Sequence, residues 1–455
     1  MTESKRADIM DSASDSKEEL YEHLPQWLKD RLQWFLDLKF GFFMHWGPYS
    51  QWGCIESWPL VEVDEWARPD TLRPWIERGK DIERFKADYW RLNETFCPRE
   101  FDPESWAKIA ERAGMKYLAF TTKHHDGFCM FDTATTDYRI THSSCPFHTD
   151  PRANVTRHIF DAFRARDFGI SCYFSKSDWH SPYYWWPGAP APTRNPNYDT
   201  AKNPERWERF VQFVHRQVRE LMSDYGSIDA LWLDGGQVRP PKQDIRMAEM
   251  AAMARELQPG LIVADRTVGG PYENILTPEQ RIPDKPLGYP WESCLTMGNG
   301  WAYRPDDEYK STRVLIHLLI DIVAKGGNLL LNVGPTPQGA LDPVPLKRLE
   351  EIGAWMAVNG DAIHGTRPIA PYKQGNVCFT KKGGRVFALI LAEDSDEMPP
   401  SNLRVEGICP SEGSAVTMLG RETPLEWTRD GDGFRVSIPQ ETLPCSHAWV
   451  LSFRV

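Results

Sequence analysis

The sequence predicts an α/β protein: a (β/α)8-like barrel of the TIM type followed by a small C-terminal antiparallel β-sandwich. Three observations carry this expectation. Between about residues 33 and 365, continuous apolar runs recur and end in polar residues, as strands buried on both faces require. Amphipathic stretches with helix start and stop residues separate them. From about residue 368 the texture changes to alternating apolar and polar residues broken by Gly, Asp and Pro turns.

The strand candidates are FGFFMHW (40–46), YLAFTTKHHDG (117–127), GISCYFS (169–175), IDALWLDGG (228–236), LIVADR (261–266) and NLLLNVG (328–334). Of the helices, DPESWAKIAERAG (102–114) has an Asp cap, Pro103 in its first turn and Gly114 at its end. The stretches 203–226 and 245–260 also end in glycine, and 311–327 is a further helix. About seven strand–helix units over about 330 residues favour a barrel over an open doubly wound sheet. No Gly-x-Gly-x-x-Gly follows the first strand, which disfavours a dinucleotide site. Lys325-Gly-Gly-Asn328 reads as a helix C-cap entering a strand rather than a phosphate cradle. The expected divisions are a disordered tail over 1–20, the barrel over 21–367 and the sandwich over 368–455.

The 455 residues are 41% apolar and 26% charged, the profile of a folded globular chain. A core of this size needs no disulfide staples. A net charge of −11 weighs against a nucleic-acid or anionic-membrane partner. The best apolar run, Val314 to Val323, contains His317 and Asp321 and is too short to span a bilayer. The first twenty residues have no apolar stretch of the kind a secretory signal needs. Nine scattered cysteines without a C-x-x-C read as reduced thiols, so a cytoplasmic location is expected.

In a barrel the chemistry belongs at the C-terminal strand ends. Those ends carry His45-Trp46-Gly47, Lys123-His124-His125-Asp126-Gly127, Tyr173 with Asp178-Trp179-His180, Trp232 with Asp234-Gly235-Gly236, and Asp265-Arg266. Polar groups beside aromatic rings suit a sugar, whose C–H face stacks while its hydroxyls are hydrogen-bonded. Two carboxylates in such a mouth can cleave a glycosidic bond. Asp234 is the first candidate nucleophile; it reads equally as a turn or cap residue beside Gly235. Glu279 is the candidate acid/base, although Thr277-Pro278-Glu279-Gln280 also has the form of a helix start. Glu292, the alternative acid/base, reads otherwise as a strand carboxylate paired with an arginine. His124-His125 invites a metal. Adjacent strand residues point to opposite faces, however, and there is no His-x-His or His-Glu-x-x-His, so neither metal nor cofactor is expected. Cys54, Cys129 and Cys172 lack an identifiable paired base for thiolate chemistry.

Taken in order, KFGFFMHWGPYS, KYLAFTTKHHDGFCMFDT, TDYRI, LWLDGG, TPEQ, PWESC and VAKGGNLLLNVGPTPQGAL resemble the α-L-fucosidases of glycoside hydrolase family twenty-nine, over about residues 33–367. The resemblance implies a retaining exo-glycosidase that removes terminal α-L-fucose from a fucosylated oligosaccharide or glycoside through a covalent intermediate, without a metal. It implies Asp234 as nucleophile, with Trp232, His45, His124, His125, Tyr173, Arg266 and Trp301 lining the sugar pocket. Glu279 is the better match to the acid/base and Glu292 the other. Glu56 best matches a further sugar-binding glutamate, with Glu62 and Glu65 in range. Phe174 stands where the family pattern has a second tyrosine. The other readings are an inactive fucose-binding protein on the same scaffold and an exo-glycosidase for another sugar. The Tyr183–Trp186 loop is a candidate acceptor platform or simply a packed rim. Of nineteen tryptophans, Trp46, Trp232 and Trp301 are expected at the mouth, and Trp179, Trp185, Trp186 and Trp291 on loops near it. Trp34, Trp90, Trp106, Trp207 and Trp355 are expected to pack in the helical layer.

Overall fold

Seven parallel strands form the first sheet: β1 (Phe40–Met44), β2 (Tyr117–Lys123), β3 (Gly169–Ser175), β4 (Ala230–Asp234), β5 (Ile262–Asp265), β6 (Glu292–Thr296) and β7 (Asn328–Asn332). Their order is β5-β4-β3-β2-β1-β7-β6. This computed structural model describes residues 18–68, 81–393, 398–441 and 443–455. Residues 1–17 of the expected tail lie outside the described residues, while 18–22 are helical.

The helices are α1 (Gln26–Leu38), α2 (Ile82–Tyr89), α3 (Pro103–Arg112), α4 (Val155–Arg164), α5 (Pro204–Asp224), α6 (Met247–Leu257), α7 (Thr312–Ala324) and α8 (Pro343–Asn359). Their ends follow local chemistry. Asp102 caps α3 by accepting from the Ser105 amide at 3.1 Å, and Ser311 caps α7 through the Val314 amide at 3.3 Å. After α7 the chain turns at Gly326 (φ +89°), with the Gly326 and Gly327 amides donating to Val323 and Ile322 carbonyls. The Lys325–Asn328 stretch is therefore the helix stop and strand entry that its sequence suggests.

Strand alternation divides the core in two. Phe43, Tyr117, Ala119, Tyr173, Ala230, Trp232, Ile262, Ala264, Cys294 and Leu330 point into the barrel and share one apolar cluster. Their neighbours, such as Phe42, Leu118, Cys172, Leu231, Val263 and Leu331, face the helices and belong to another. The same period of two sends Asp234 and Glu292 inward, at opposite ends of their strands.

Between β5 and β6 the chain does not form a helix. Residues 272–280 run as a strap between the sheet's two edges. On one side the Asp265 and Asn274 amides bond to Tyr272 and Val263 carbonyls. On the other, Glu292 and Cys294 donate to Leu276 and Pro278, and Gln280 donates to Cys294. The strap acts as an eighth stave, which makes seven strands a (β/α)8-like enclosure. It also corrects one local expectation: Thr277-Pro278-Glu279-Gln280 is extended strap, not a helix N-terminus.

The C-terminal strands run from β8 (Arg367–Gln374), β9 (Val377–Lys382) and β10 (Arg385–Leu391), through β11 (Asn402–Val405), β12 (Thr417–Met418), β13 (Trp427–Asp430) and β14 (Gly433–Ser437), to β15 (Ala448–Arg454). They make a five-stranded sheet, β12-β15-β10-β9-β8, and a three-stranded one, β11-β14-β13. The two enclose a separate apolar cluster that includes Phe379, Ile390, Phe434 and Phe453, as a sandwich requires. Trp355 of α8 fastens it to the barrel by donating from Nε1 to the Ala448 carbonyl at 2.9 Å.

Candidate active site

At the C-terminal end of β4, Asp234 sits half-buried in the barrel mouth. Its Oδ2 accepts from the Tyr173 hydroxyl at 2.8 Å, and Oδ1 accepts from the Gly235 amide at 2.7 Å and from Arg266 Nη1 at 3.2 Å. His125 Nε2 lies 3.7 Å from Oδ2. Burial alone would raise the carboxyl, but the Arg266 charge and these donors outweigh it and hold Asp234 well below the usual carboxylate range. The group is an anion at any ordinary pH.

Arg266 is the hinge of the arrangement. It is buried over Trp232, with its guanidinium carbon 4.8 Å from the ring centre, and Nε donates to Thr277 Oγ1 at 3.3 Å. Nη2 donates to Glu279 Oε2 at 2.6 Å, so one guanidinium joins both candidate carboxylates. Glu279 stands on the strap with its side chain 46% exposed.

Glu292 is elsewhere. It begins β6, opposite Asn328 at the start of β7, and so lies at the deep end of the barrel. Its Oε1 accepts from Trp232 Nε1 and its Oε2 from the Tyr117 hydroxyl, both at 2.8 Å. Instead of the expected arginine, an indole and a phenol satisfy it. Trp232, stacked on Tyr173 at 5.1 Å between ring centres, stands between Glu292 and the mouth.

The histidines are brought together by a turn. The β2–β3 register shifts between Thr121 and Lys123, and the chain turns at 124–127, so His124 and His125 do not obey strand alternation. Their rings lie 4.3 Å apart, and His45 is 5.8 Å from His124. Each Nδ1 already has a partner: Asn332 Oδ1 for His45 (2.7 Å), Ser57 Oγ for His124 (2.6 Å) and Ser175 Oγ for His125 (2.7 Å). One tautomer follows from the wider network. Asn332 Nδ2 donates to the Trp301 carbonyl, so Asn332 Oδ1 accepts from His45, which carries its proton on Nδ1 and leaves Nε2 a bare acceptor. The Nδ1 of His125 lies against Ser175 Oγ and, at 3.1 Å, Ser177 Oγ. Burial keeps both rings neutral, lowering His45 and His125 to about 4. Among the described residues no group of three His, Cys, Asp or Glu side chains is placed to hold a metal ion.

Glu56 is fully buried in the loop after β1, with its backbone at φ +42°, a strained conformation for a residue with a side chain. Its Oε1 accepts from the Ala302 amide at 2.7 Å, whereas its buried Oε2 has no partner. Burial pushes the carboxyl up to about 8, so it carries a proton at pH 7. The neighbouring Trp301 ring is 5.0 Å from His45 and 5.9 Å from Phe43. Of the two glutamates in range of Glu56, Glu62 pairs with Lys86 at 2.6 Å. Phe174 faces the helical layer beneath Lys123, so the absent hydroxyl takes nothing from the mouth. The helix-facing Cys172 is pushed up to about 12 by burial, which leaves no thiolate there.

Two tryptophans fall away from the mouth. Trp46 packs outward on Trp106 and Phe101, and Trp291 is buried just before β6 at the deep end. The sequence reading did not nominate Asn332, Ser57 or Ser175 as site residues and took Thr277 for a helix start, yet these four hold the candidate side chains. Asn332 and Ser175 carried a signal, as polar residues ending apolar strands.

The buried titratable groups predict how stability depends on pH. Burial lifts Glu56 to about 8, and Asp126 and Glu292 to about 7, so the folded chain keeps protons that the unfolded chain has released. Stability from these carboxyls falls as pH rises from about 4.5 through those values. For His45 and His125 the unfolded chain binds protons near 6.5 that the folded chain refuses until about 4, so their stability falls as pH drops across that window. Above 6.5 the histidines no longer act; the buried Lys39 amine, lowered to about 7, adds stability as pH rises and partly offsets the three carboxyls, which outweigh it. The thermal unfolding midpoint should fall between pH 6.5 and 8, with Glu56 accounting for up to about 2 kcal/mol. Glu56→Gln should flatten the decline, and a midpoint that rises over this interval contradicts the assignment.

Comparison with known proteins places the chain in a family. A profile of the family described as alpha-L-fucosidase matches residues 9–361, and one described as alpha-L-fucosidase C-terminal domain matches 371–454. The tissue alpha-L-fucosidase of Homo sapiens is 28% identical over 92% of this chain and 88% of its own. Among solved structures, alpha-L-fucosidase isoenzyme 1 from Paenibacillus thiaminolyticus superposes with a TM-score of 0.76 at 32% identity, covering 94% of this chain and 99% of that one. The Thermotoga maritima alpha-fucosidase in complex with fucose gives 0.72 at 27% identity, covering 92% and 96%. With its barrel and C-terminal domain both matched, this chain belongs to the α-L-fucosidase family.

Proposed function

We propose that this protein is a retaining α-L-fucosidase acting on terminal fucose, with Asp234 as nucleophile and Glu279 as acid/base. One observation carries the reading: Asp234, ionised and held by Tyr173, Gly235 and Arg266, shares a mouth with neutral histidines and is linked through Arg266 to a second carboxylate on the rim. Asp234 attacks the anomeric carbon while Glu279 protonates the departing glycosidic oxygen. Glu279 then takes a proton from water, which attacks the same carbon, expels Asp234 and releases fucose with retained configuration. Tyr173 and Arg266 stabilise the carboxylate before attack and again as it leaves.

Fucose has ring hydroxyls to satisfy and a methyl group to bury. The bare Nε2 of His45 accepts from a hydroxyl, His125 Nε2 lies within reach of a second, and the protonated, unpartnered oxygen of Glu56 donates. The rings of Trp301 and Phe43 offer an apolar surface for the methyl group. A sugar that leaves these buried groups unpaired should be rejected strongly. A panel of aryl glycosides tests the reading: α-L-fucoside should be cleaved at least 10³-fold faster than α-galactoside. Comparable rates would point to an exo-glycosidase for another sugar, and fucose binding without turnover to an inactive scaffold. A cytoplasmic location belongs to the same proposal, supported by all nine cysteines being free thiols. No helix among the described residues is long and apolar enough to cross a membrane.

A further inference from the structure

Trp66 lies in the loop after β1 and is 54% exposed, a large ring that no step above uses. An exposed indole is ordinarily free to turn. This one is fixed: Nε1 donates to Asp64 Oδ1 at 3.1 Å. Asp64 is itself buried and gripped by Arg194, Nε on Oδ2 at 2.8 Å and Nη2 on Oδ1 at 2.9 Å. The Arg194 guanidinium in turn lies 4.3 Å from the centre of the Trp58 ring. Trp58 is 6.1 Å from Trp66 and 4.9 Å from His125, whose Nε2 faces Asp234 at 3.7 Å. The loop after β3 braces the same segment, the Val63 amide donating to the Pro192 carbonyl at 3.0 Å. A run of rings thus leads outward from the nucleophile, and its outermost member is both exposed and locked.

In the loop that the sequence nominated as an acceptor platform or a packed rim, Trp185 is buried flat against Trp179 at 5.3 Å, and one face of the 40% exposed Trp186 ring is covered by the Arg206 guanidinium at 3.8 Å.

We infer that Trp66, held by Asp64 and Arg194, is the stacking face for the hexopyranose to which the fucose is attached. This rests on the fucosidase reading above and extends it to the sugar beyond the cleaved bond. A pyranose offers an apolar C–H face, and an aromatic ring already held in one orientation binds it without the entropy loss of ordering a free side chain. Glu279, on the same rim, would then meet the glycosidic oxygen of a seated acceptor.

The test compares two substrates of the intact protein: fucosyl fluoride, which has no acceptor sugar, and a fucosyllactose. In Trp66→Ala the ratio of kcat/KM for fucosyllactose to that for the fluoride should fall about tenfold or more, mostly through KM. Trp66→Phe, which keeps a ring, should return it to within threefold of the original. A ratio within threefold of the original in Trp66→Ala overturns the inference, because both substrates would then be indifferent to the ring or equally damaged. Failure of the unaltered protein to turn over the fluoride overturns the fucosidase reading and this inference with it.

Discussion

Asp234→Gly should lower hydrolysis of an aryl α-L-fucoside by about 10³-fold or more, equivalent to about 4 kcal/mol of transition-state stabilisation. The size follows from the position: among the described residues, Asp234 is the carboxylate that accepts from both Tyr173 and the Gly235 amide. Adding azide should restore turnover of a fucoside with a good leaving group. Azide would enter the space left by the carboxylate and attack in one displacement, so the product should be the inverted β-fucosyl azide. Characterising that product by NMR checks the assignment. Undiminished hydrolysis by the variant, or an azide of retained configuration, would move the nucleophile elsewhere.

The second large effect concerns the acid/base. Glu279→Ala should slow cleavage of fucosides with poor leaving groups by about 10²-fold or more, and much less where the leaving group needs no proton. The fucosyl-enzyme should still form, and azide should intercept it to give α-fucosyl azide, of retained configuration. Glu292→Ala should give no such product. Its carboxyl is enclosed by Trp232 and Tyr117 at the deep end of β6, where a departing glycosidic oxygen does not reach. Its replacement should act through the seating of Trp232, lowering turnover of activated and unactivated substrates alike. Retained azide product from Glu292→Ala alone would reverse the two assignments.

Much of this was legible in the chain because strand ends advertise themselves. An apolar run that stops at a polar residue marks both a strand and the side of the barrel on which it ends, which is how Asp234, Arg266, His45 and the His124-His125 pair were found. Period-two alternation then sorts Trp232 inward and Phe174 outward. What escaped depends on direction and distance along the fold. Glu292 reads like a strand-end carboxylate, but it is the first residue of its strand, and that reverses its height in the barrel. Thr277-Pro278 carries helix-start residues, yet hydrogen bonds to two strand edges offer those backbone groups a better arrangement than a first helical turn. Trp46 immediately follows a site histidine and faces the other way. The partners of the histidine rings, Asn332 and Ser175, come from separate strands, and no local pattern joins them. The Asp64–Arg194 clamp on Trp66 joins side chains 130 positions apart and appears only once the loops are packed.

The strap between β5 and β6 places the proposed acid on a different element from the proposed nucleophile. Asp234 ends a strand flanked on both sides by parallel neighbours, whereas Glu279 rides on a strap that pairs with the sheet only through isolated bridges. Segments held by fewer backbone hydrogen bonds open locally at a smaller free-energy cost than central strands. Amides of 274–280 should therefore exchange with solvent faster than those of β4, and each opening would withdraw the proton donor while leaving the nucleophile in place.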